Sequence, residues 1–216
     1  MTFSILKAKP NGSCLFISLR LALEYKKMFQ LLDSGRGDYM GVLDGFDDRI
    51  VVAAEKLRNT IIEWYSKKDK VITDYGYYIH NDDTPWLRGD VLALECANLP
   101  EISLGDIPQS GPERDRIIQK YIDYMRKPRT WGGSPEYMAF SFMSKLEVQV
   151  FIPQRETKTL IMSNNIKPKN SIGVIRLLFD GSSHYDLLLS NSDAERIREM
   201  APQTELVKID SWHIQG

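Results

Sequence analysis

The chain has 216 residues, a formal net charge of −1, 43% hydrophobic residues and 26% charged residues. These values are ordinary for one globular domain, and the small charge gives no electrostatic reason to expect nucleic acid or an anionic membrane as a partner. No apolar run is long enough to span a bilayer, the N-terminus lacks the apolar core of a secretory signal, and two cysteines do not make a disulfide framework, so we expect a cytoplasmic protein.

Apolar spacing predicts three helices in the first 130 residues. The first runs from about 13 to 32 and the second from about 49 to 67, each with one apolar face. The third follows Gly111-Pro112 and ends before Pro128. The region from 69 to 110 mixes aromatic and turn residues and predicts no clear element.

Strands and helices alternate in the second half of the chain. Ser134, Pro135 and Glu136 follow the order of an N-cap, a first-turn proline and a first-turn acid, which predicts a helix from 135 to about 145. Strands are predicted at 147–152, 159–162, 172–179 and 184–189, with an Asp-Gly turn joining the last two. A capping box at 192–195 predicts a final helix. The order of these elements favours an α+β fold with helices packed on a mostly antiparallel sheet.

Cys14 is the first candidate for chemistry. It follows a glycine-containing turn and begins the first predicted helix, where unpaired N–H groups and the helix dipole favour a thiolate. A lone cysteine in this position is more often a small buried hydrophobic residue, so a catalytic role depends on a partner histidine.

Of the three histidines, His184 is the best candidate for that partner. His80 lies among Asn81, Asp82 and Asp83 in a polar stretch, and His213 lies four residues from the end of the sequence. His184 and Asp186, at positions i and i+2 of a predicted strand, would project from the same face. The carboxylate could then fix the imidazole tautomer while the other ring nitrogen accepts the thiol proton.

Three motifs, in order, resemble those of the ovarian-tumour (OTU) family of deubiquitinating cysteine proteases. Residues 11–19, Asn-Gly-Ser-Cys-Leu-Phe-Ile-Ser-Leu, resemble its catalytic-cysteine motif. Residues 131–140, which begin Trp-Gly-Gly, are similar to its Trp-Gly-Gly-x-x-Glu-x-x-Ala segment, and His184-Tyr185-Asp186 resembles its closing His-Tyr/Phe-Asn/Asp. The resemblance covers about residues 8 to 189. It implies an OTU-like catalytic domain over 1–190, with a central sheet packed between helices and a C-terminal helical extension over 191–216.

The resemblance makes Cys14 the nucleophile, His184 the general base and acid, and Asp186 the residue that orients the imidazole. Backbone N–H groups around Gly12, Ser13 and Cys14 would hold the tetrahedral oxyanion. Asn11 stands where the family usually has Asp, and it could still support this loop through its side-chain amide. Ser13 replaces the usual acidic or amide residue.

Substrate contacts are also expected from the resemblance. Trp131, Gly132 and Gly133 could form a narrow channel for a tail that ends in two glycines, with backbone without Cβ backed by the indole ring. Glu136, or the acids at 44, 47 and 48, could pair with arginines of ubiquitin, and Tyr185 is expected beside the substrate.

We therefore expect a thiol-dependent hydrolase that cleaves the (iso)peptide bond after the C-terminal glycine of ubiquitin or a ubiquitin-like modifier. Its expected partners are ubiquitin and polyubiquitin chains. We expect a monomer with no metal or organic cofactor, acting in the cytoplasm, or in the host cytosol if the source is a virus or a bacterium. Two alternatives remain open: a catalytically impaired, ubiquitin-binding pseudo-enzyme and a papain-like thiol hydrolase of another acyl substrate.

Overall fold

A computed structural model of the chain describes residues 3–35, 41–66, 108 and 111–215. The expectations for His80 and for the region from 69 to 110 lie outside these residues. Among the described residues, no helix combines the length and the apolar character needed to cross a membrane.

The described ranges contain five helices and seven strands. The helices are α1 (Cys14–Asp33), α2 (Asp48–Ser66), α3 (Pro112–Met125), α4 (Ser134–Ser144) and α5 (Asn191–Met200). The strands are β1 (Phe3–Leu6), β2 (Leu146–Gln154), β3 (Thr159–Ile166), β4 (Gly173–Phe179), β5 (Tyr185–Ser190), β6 (Val207–Ile209) and β7 (His213–Gln215). The sequence patterns predicted all five helices and four of these strands; the short strands β1, β6 and β7 were not predicted.

All seven strands belong to one sheet in the order β6-β1-β5-β4-β2-β3-β7. Pairing is antiparallel except between β2 and β4 and between β3 and β7. The α+β class and the mostly antiparallel sheet are therefore confirmed. β5, which follows His184, lies between β1 and β4, so the strand that precedes the Cys14 loop pairs directly with the strand that follows His184.

Helix α1 lies in the centre of the main hydrophobic core. Residues 14–25 are all buried or half-buried, and the helix packs against both α2 and β5. The sequence pattern predicted one apolar face for this helix, whereas the structure buries the helix on nearly every side. Because its first residue is Cys14, the thiol is placed by one of the most restrained elements of the molecule.

Two predicted helix caps are wrong by one or two residues. The N-cap of α4 is Gly133 rather than Ser134, and Glu136 reaches back to its N–H. The N-cap of α5 is Ser190 rather than Ser192, with the Ser190 hydroxyl accepting the Asp193 N–H at 3.2 Å. Ser190 also ends β5, so the chain passes directly from strand to helix and the earlier serine becomes the cap.

The C-terminal segment requires the sheet to curl. β6 and β7 lie on opposite edges, yet only residues 210–212 separate them. A flat seven-stranded sheet would hold its edges about 29 Å apart at the usual strand spacing. The four steps from Ile209 to His213 span at most about 14 Å. A second hydrophobic cluster accompanies this curl, formed by Phe3, Ile5, Phe151, Leu160 and Leu188 with Ile209 and Trp212 packed against it.

The predicted boundary at residue 190 stays a prediction. The described part of the segment after it contributes α5 and two edge strands to the same sheet. Ala194 and Ile197 of α5 belong to the main core.

We expect Trp212→Ala to lower the free energy of unfolding by about 1–3 kcal/mol, since it removes a large side chain that packs on the second cluster at the link between the two sheet edges. Ile214→Ala, on the exposed face of β7, is the matched control and should change it by less than about 0.5 kcal/mol. Urea denaturation measures both values. Equal losses for the two variants would contradict a specific role for Trp212.

Candidate active site

The thiol of Cys14 lies at the N-terminus of α1 and is 4% exposed. Its Sγ donates to the carbonyl oxygen of Ser183 at 3.6 Å. Ser183 belongs to the turn between β4 and β5, so the thiol faces the segment that carries His184.

The structure brings Cys14, His184 and Asp186 together. His184 immediately precedes β5, and its Nε2 lies 3.0 Å from Oδ1 of Asp186. The imidazole also hydrogen-bonds with Cys14, and Nδ1 is the ring nitrogen left for that contact. Hydrogen bonds with Asp186 and with Cys14 outweigh burial and raise the pKa of His184 to about 10.

Asp186 is held by two further donors that the sequence analysis missed. The backbone N–H of Ala8 donates to Oδ1 at 2.8 Å, and Nζ of Lys7 donates to Oδ2 at 2.9 Å. Burial acts to raise the pKa of Asp186, but these bonds and the one from His184 hold it below its ordinary value. Both donors follow β1, which pairs with β5 in a register that sets Leu6 opposite Leu187. No local signal in the sequence links positions so far apart.

The turn that presents His184 is organised by Asp180. Its Oδ1 accepts the backbone N–H groups of Ser182, Ser183 and His184 at 2.8, 2.9 and 3.0 Å. Burial opposes ionisation, but these N–H groups lower the pKa of Asp180 to about 2. The Asp-Gly turn that the sequence predicted is therefore also the support of the histidine.

The loop before Cys14 depends on glycine at position 12. Gly12 has φ +82°, and a Cβ there would lie 1.9 Å from the carbonyl oxygen of Arg129. The loop thus passes against the backbone just before Trp131, which brings the first and second motifs into contact.

Asn11 determines which N–H groups of this loop are available. Its Oδ1 accepts the Ser13 N–H at 3.1 Å, so this N–H already has an acceptor, and the expected oxyanion role of Ser13 stays a prediction. The N–H of Cys14, at the start of α1, belongs to the first turn, where N–H groups lack intrahelical acceptors.

An ion pair on α2, between buried Arg58 and half-buried Glu55, holds the side chain of Ser13. The Ser13 hydroxyl donates to Glu55 and accepts from Nη2 of Arg58 at 3.0 Å, while Nε of Arg58 donates to Glu55 at 2.9 Å. Arg58 is fully buried, and its guanidinium lies 4.0 Å from the ring centroid of Phe16. The sequence pattern could have indicated this buried arginine, because Arg58 falls four residues after Ala54 on the apolar face of α2.

A groove of about 390 Å³ is lined in part by Ser183, whose carbonyl oxygen accepts the Cys14 thiol. Trp131, Gly132, Gly133, Ser183 and Tyr185 are among the residues that line it. Trp131 is 64% exposed, whereas Gly132 packs so closely on α1 that a Cβ would lie 2.9 Å from Leu15 and Phe16.

Tyr185 contributes to this groove and also fixes the strand. Its ring stacks on Phe179 with centroids 4.6 Å apart. Its carbonyl oxygen accepts the Ser18 hydroxyl at 3.1 Å, which ties β5 to α1. Tyr185 therefore lines the groove where a substrate contact is expected and also links β5 to α1.

Glu136 does not reach the surface, and its predicted contact with arginines of a substrate is wrong. The side chain is fully buried and accepts the Tyr121 hydroxyl at 2.9 Å and the Gly133 N–H at 2.6 Å. Its role in the structure is to hold the Trp-Gly-Gly turn. Of the alternative acids, Asp47 forms two side-chain bonds with Arg49, whereas Asp48 is almost fully exposed.

His213 lies apart from the thiol, on the edge strand β7, where it pairs with Thr159. Within the described residues, no group of three or more His, Cys, Asp and Glu side chains is arranged to hold a metal ion.

The raised pKa of His184 predicts a specific titration. We expect its imidazole to titrate near pH 10 in the native protein and nearer 6.5 in Asp186→Asn, which loses the anionic partner. Because the folded state binds this proton more tightly than the unfolded chain, the stabilisation is complete below about pH 6.5 and is lost as the pH rises through about 10. Histidine NMR, with His184→Gln for assignment, measures the titration. An unchanged titration in Asp186→Asn would contradict the coupling.

No protein-family model matches the sequence. The chain is similar to the OTU domain of OTUD1, with 15% identity, coverage of 86% of this chain and 85% of that chain, and a TM-score of 0.44. It is similar to an OTU deubiquitinase from Wolbachia pipientis wMel, with 18% identity, coverage of 91% and 95%, and a TM-score of 0.48. It is also similar to the ubiquitin-bound OTU of Hazara virus, with 16% identity, coverage of 87% and 80%, and a TM-score of 0.40. All three are OTU domains, the family that the sequence motifs resemble.

Proposed function

We propose that the chain is a cysteine-type deubiquitinase in which Cys14, His184 and Asp186 form the catalytic triad. The observation that carries this proposal is the contact of a helix-terminal thiol with an imidazole whose other nitrogen is bonded to a buried carboxylate. This is the arrangement that nucleophilic catalysis by cysteine requires.

The chemistry divides into two steps. The Cys14 thiolate attacks the carbonyl carbon of the last glycine of the modifier, and the His184 imidazolium donates its proton to the departing amine as the C–N bond breaks. The product of this step is a thioester. His184, now neutral, accepts a proton from water as the hydroxide attacks the thioester carbon; the C–S bond then breaks, which restores the thiolate beside the imidazolium, and the modifier leaves as a carboxylic acid that loses its proton to solvent.

The groove beside the thiol supports a glycine-terminated substrate. Gly132 and Gly133 leave it without side chains on one wall, and Trp131 is exposed at its rim. An extended Gly-Gly tail could lie close against such a wall, because neither backbone carries a Cβ that would hold the two apart. Ubiquitin, polyubiquitin chains and ubiquitin-like modifiers are the proposed partners of a monomeric enzyme, and cytosol, including host cytosol, is the proposed compartment.

We propose that the loop still allows turnover with Asn at position 11 in place of the usual Asp. The side-chain oxygen that holds the Ser13 N–H is present in both Asn and Asp, so the departure from the family motif conserves the contact that shapes the loop. The N–H of Cys14, with that of Gly12, is then proposed to receive the oxyanion. This contact favours an active enzyme over the impaired pseudo-enzyme.

A ubiquitin probe with a C-terminal electrophile should label the protein covalently, and Cys14→Ala should abolish the adduct, because the thiol supplies the new bond. Intact-mass spectrometry measures the label. His184→Ala should lower labelling and turnover by several orders of magnitude, whereas its control His213→Ala should remain near wild type. Binding of the probe without an adduct would indicate the pseudo-enzyme, and neither binding nor labelling would indicate another acyl substrate.

Two substitutions test whether the side-chain oxygen of Asn11 is what shapes this loop. Asn11→Asp keeps the acceptor and should leave kcat/KM for a fluorogenic ubiquitin substrate within a few-fold of wild type. Asn11→Leu removes the acceptor and should lower kcat/KM about 10²-fold, since a small displacement of an oxyanion loop has that effect. Equal activity of the Leu and Asp variants would exclude this role.

A further inference from the structure

We propose that Lys7 is a positioning residue of this site: its ammonium group occupies Oδ2 of Asp186, so that Oδ1 is presented to His184. The inference rests on the proposed triad. It adds a residue that none of the three sequence motifs contains.

The two carboxylate oxygens of Asp186 bind different donors. Oδ1 lies 2.8 Å from the Ala8 nitrogen and 3.0 Å from Nε2 of His184, while Oδ2 lies 2.9 Å from Nζ of Lys7. The Asp186 side chain is only 5% exposed, so its charge depends on these donors. With Oδ2 held by Lys7, rotation of the carboxylate away from the imidazole would break a charge-assisted bond.

The backbone that carries Lys7 is restrained from two sides. Pairing of β1 with β5 fixes Leu6 opposite Leu187. On the other side, Ala8 forms a bridge with Gly45, and the Lys9 N–H donates to the Gly45 carbonyl at 3.3 Å. The Lys7 side chain itself is 47% exposed, so its contact with Asp186 is not a by-product of burial in the core.

The charges around Asp186 indicate what Lys7 changes. His184 contacts the carboxylate from the turn before β5, and Cys14 lies beyond it at the start of α1. Asp180 and Arg155 line a second groove of about 340 Å³ together with Lys7, His184 and Asp186. Oδ1 of Asp180 is occupied by N–H groups of its own turn. Lys7 is thus the cation from β1 that directly stabilises the ionised carboxylate.

Loss of this cation should make Asp186 accept a proton at higher pH, and a protonated Asp186 no longer stabilises the imidazolium. The acid limb of Cys14 reactivity should therefore move upward in Lys7→Met by about one pH unit, as expected for an acid that loses an opposite charge in direct contact. Lys7→Arg should restore most of the shift because it keeps a cationic donor.

The experiment measures the rate of Cys14 alkylation by iodoacetamide between pH 4 and 9, together with turnover of a fluorogenic ubiquitin substrate. Lys9→Met is the matched control: it removes the same charge two residues away, but the partner of Lys9 is the exposed Asp48 at 3.8 Å. We expect an unshifted profile for this control. A wild-type profile in Lys7→Met, or an equal shift in Lys9→Met, would overturn the proposal.

Two further measurements keep the result interpretable. If Lys7→Met fails to fold, Lys7→Gln takes its place; it removes the charge but can still donate a hydrogen bond, and the same upward shift is expected. If the wild-type thiol reacts only as an ordinary thiol, near pH 8.5, the proposed triad itself fails. An acid limb in wild type that does not move in the Lys7 variants refutes the role of Lys7 alone.

Discussion

The buried carboxylate of Asp186 is the group on which the rest of the site depends. A charge with almost no exposure is costly unless donors surround it, and this one has the Ala8 N–H, the Lys7 ammonium and the His184 imidazole. These donors come from β1 and from the turn before β5. The carboxylate therefore links the segment after the N-terminal strand to His184, and the same bonds that satisfy it also orient the imidazole ring.

The thiol is placed by a different constraint, the burial of α1. That helix lies between α2 and β5, and the Ser18 hydroxyl and the close approach of Gly132 hold it against the strand and the Trp-Gly-Gly turn. Small displacements of either element would meet tightly packed side chains. The relative position of thiol and imidazole is thus set by the packing of α1 in the core and by the pairing of β5, which directly follows His184.

The loop that carries Asn11 and Ser13 differs from the usual motif in residue type but keeps a hydrogen bond that either Asn or Asp at position 11 could make. Asn11 supplies a carbonyl oxygen to the Ser13 N–H, as an aspartate could. The short Ser13 side chain bonds instead to the Glu55–Arg58 ion pair on α2, in which Arg58 is fully buried. Breaking such a pair is strongly destabilising because it leaves one charge buried without its partner. The shape of the loop is consequently linked to the stability of the helical half of the fold.

The sequence by itself determined the long helices and the paired strands of the second half, and it named Cys14, His184 and Asp186 as candidates, because each follows from a local pattern of apolar spacing, turn residues or motif. It could not assign β1, β6 and β7, since strands of three or four residues carry too little periodicity. Only the tertiary structure decided that Glu136 is buried, that the Ser13 N–H is occupied, and that Lys7 and Ala8 serve Asp186. Those contacts join residues up to 179 positions apart, and their geometry follows from strand register and the curl of the sheet, which no local pattern encodes.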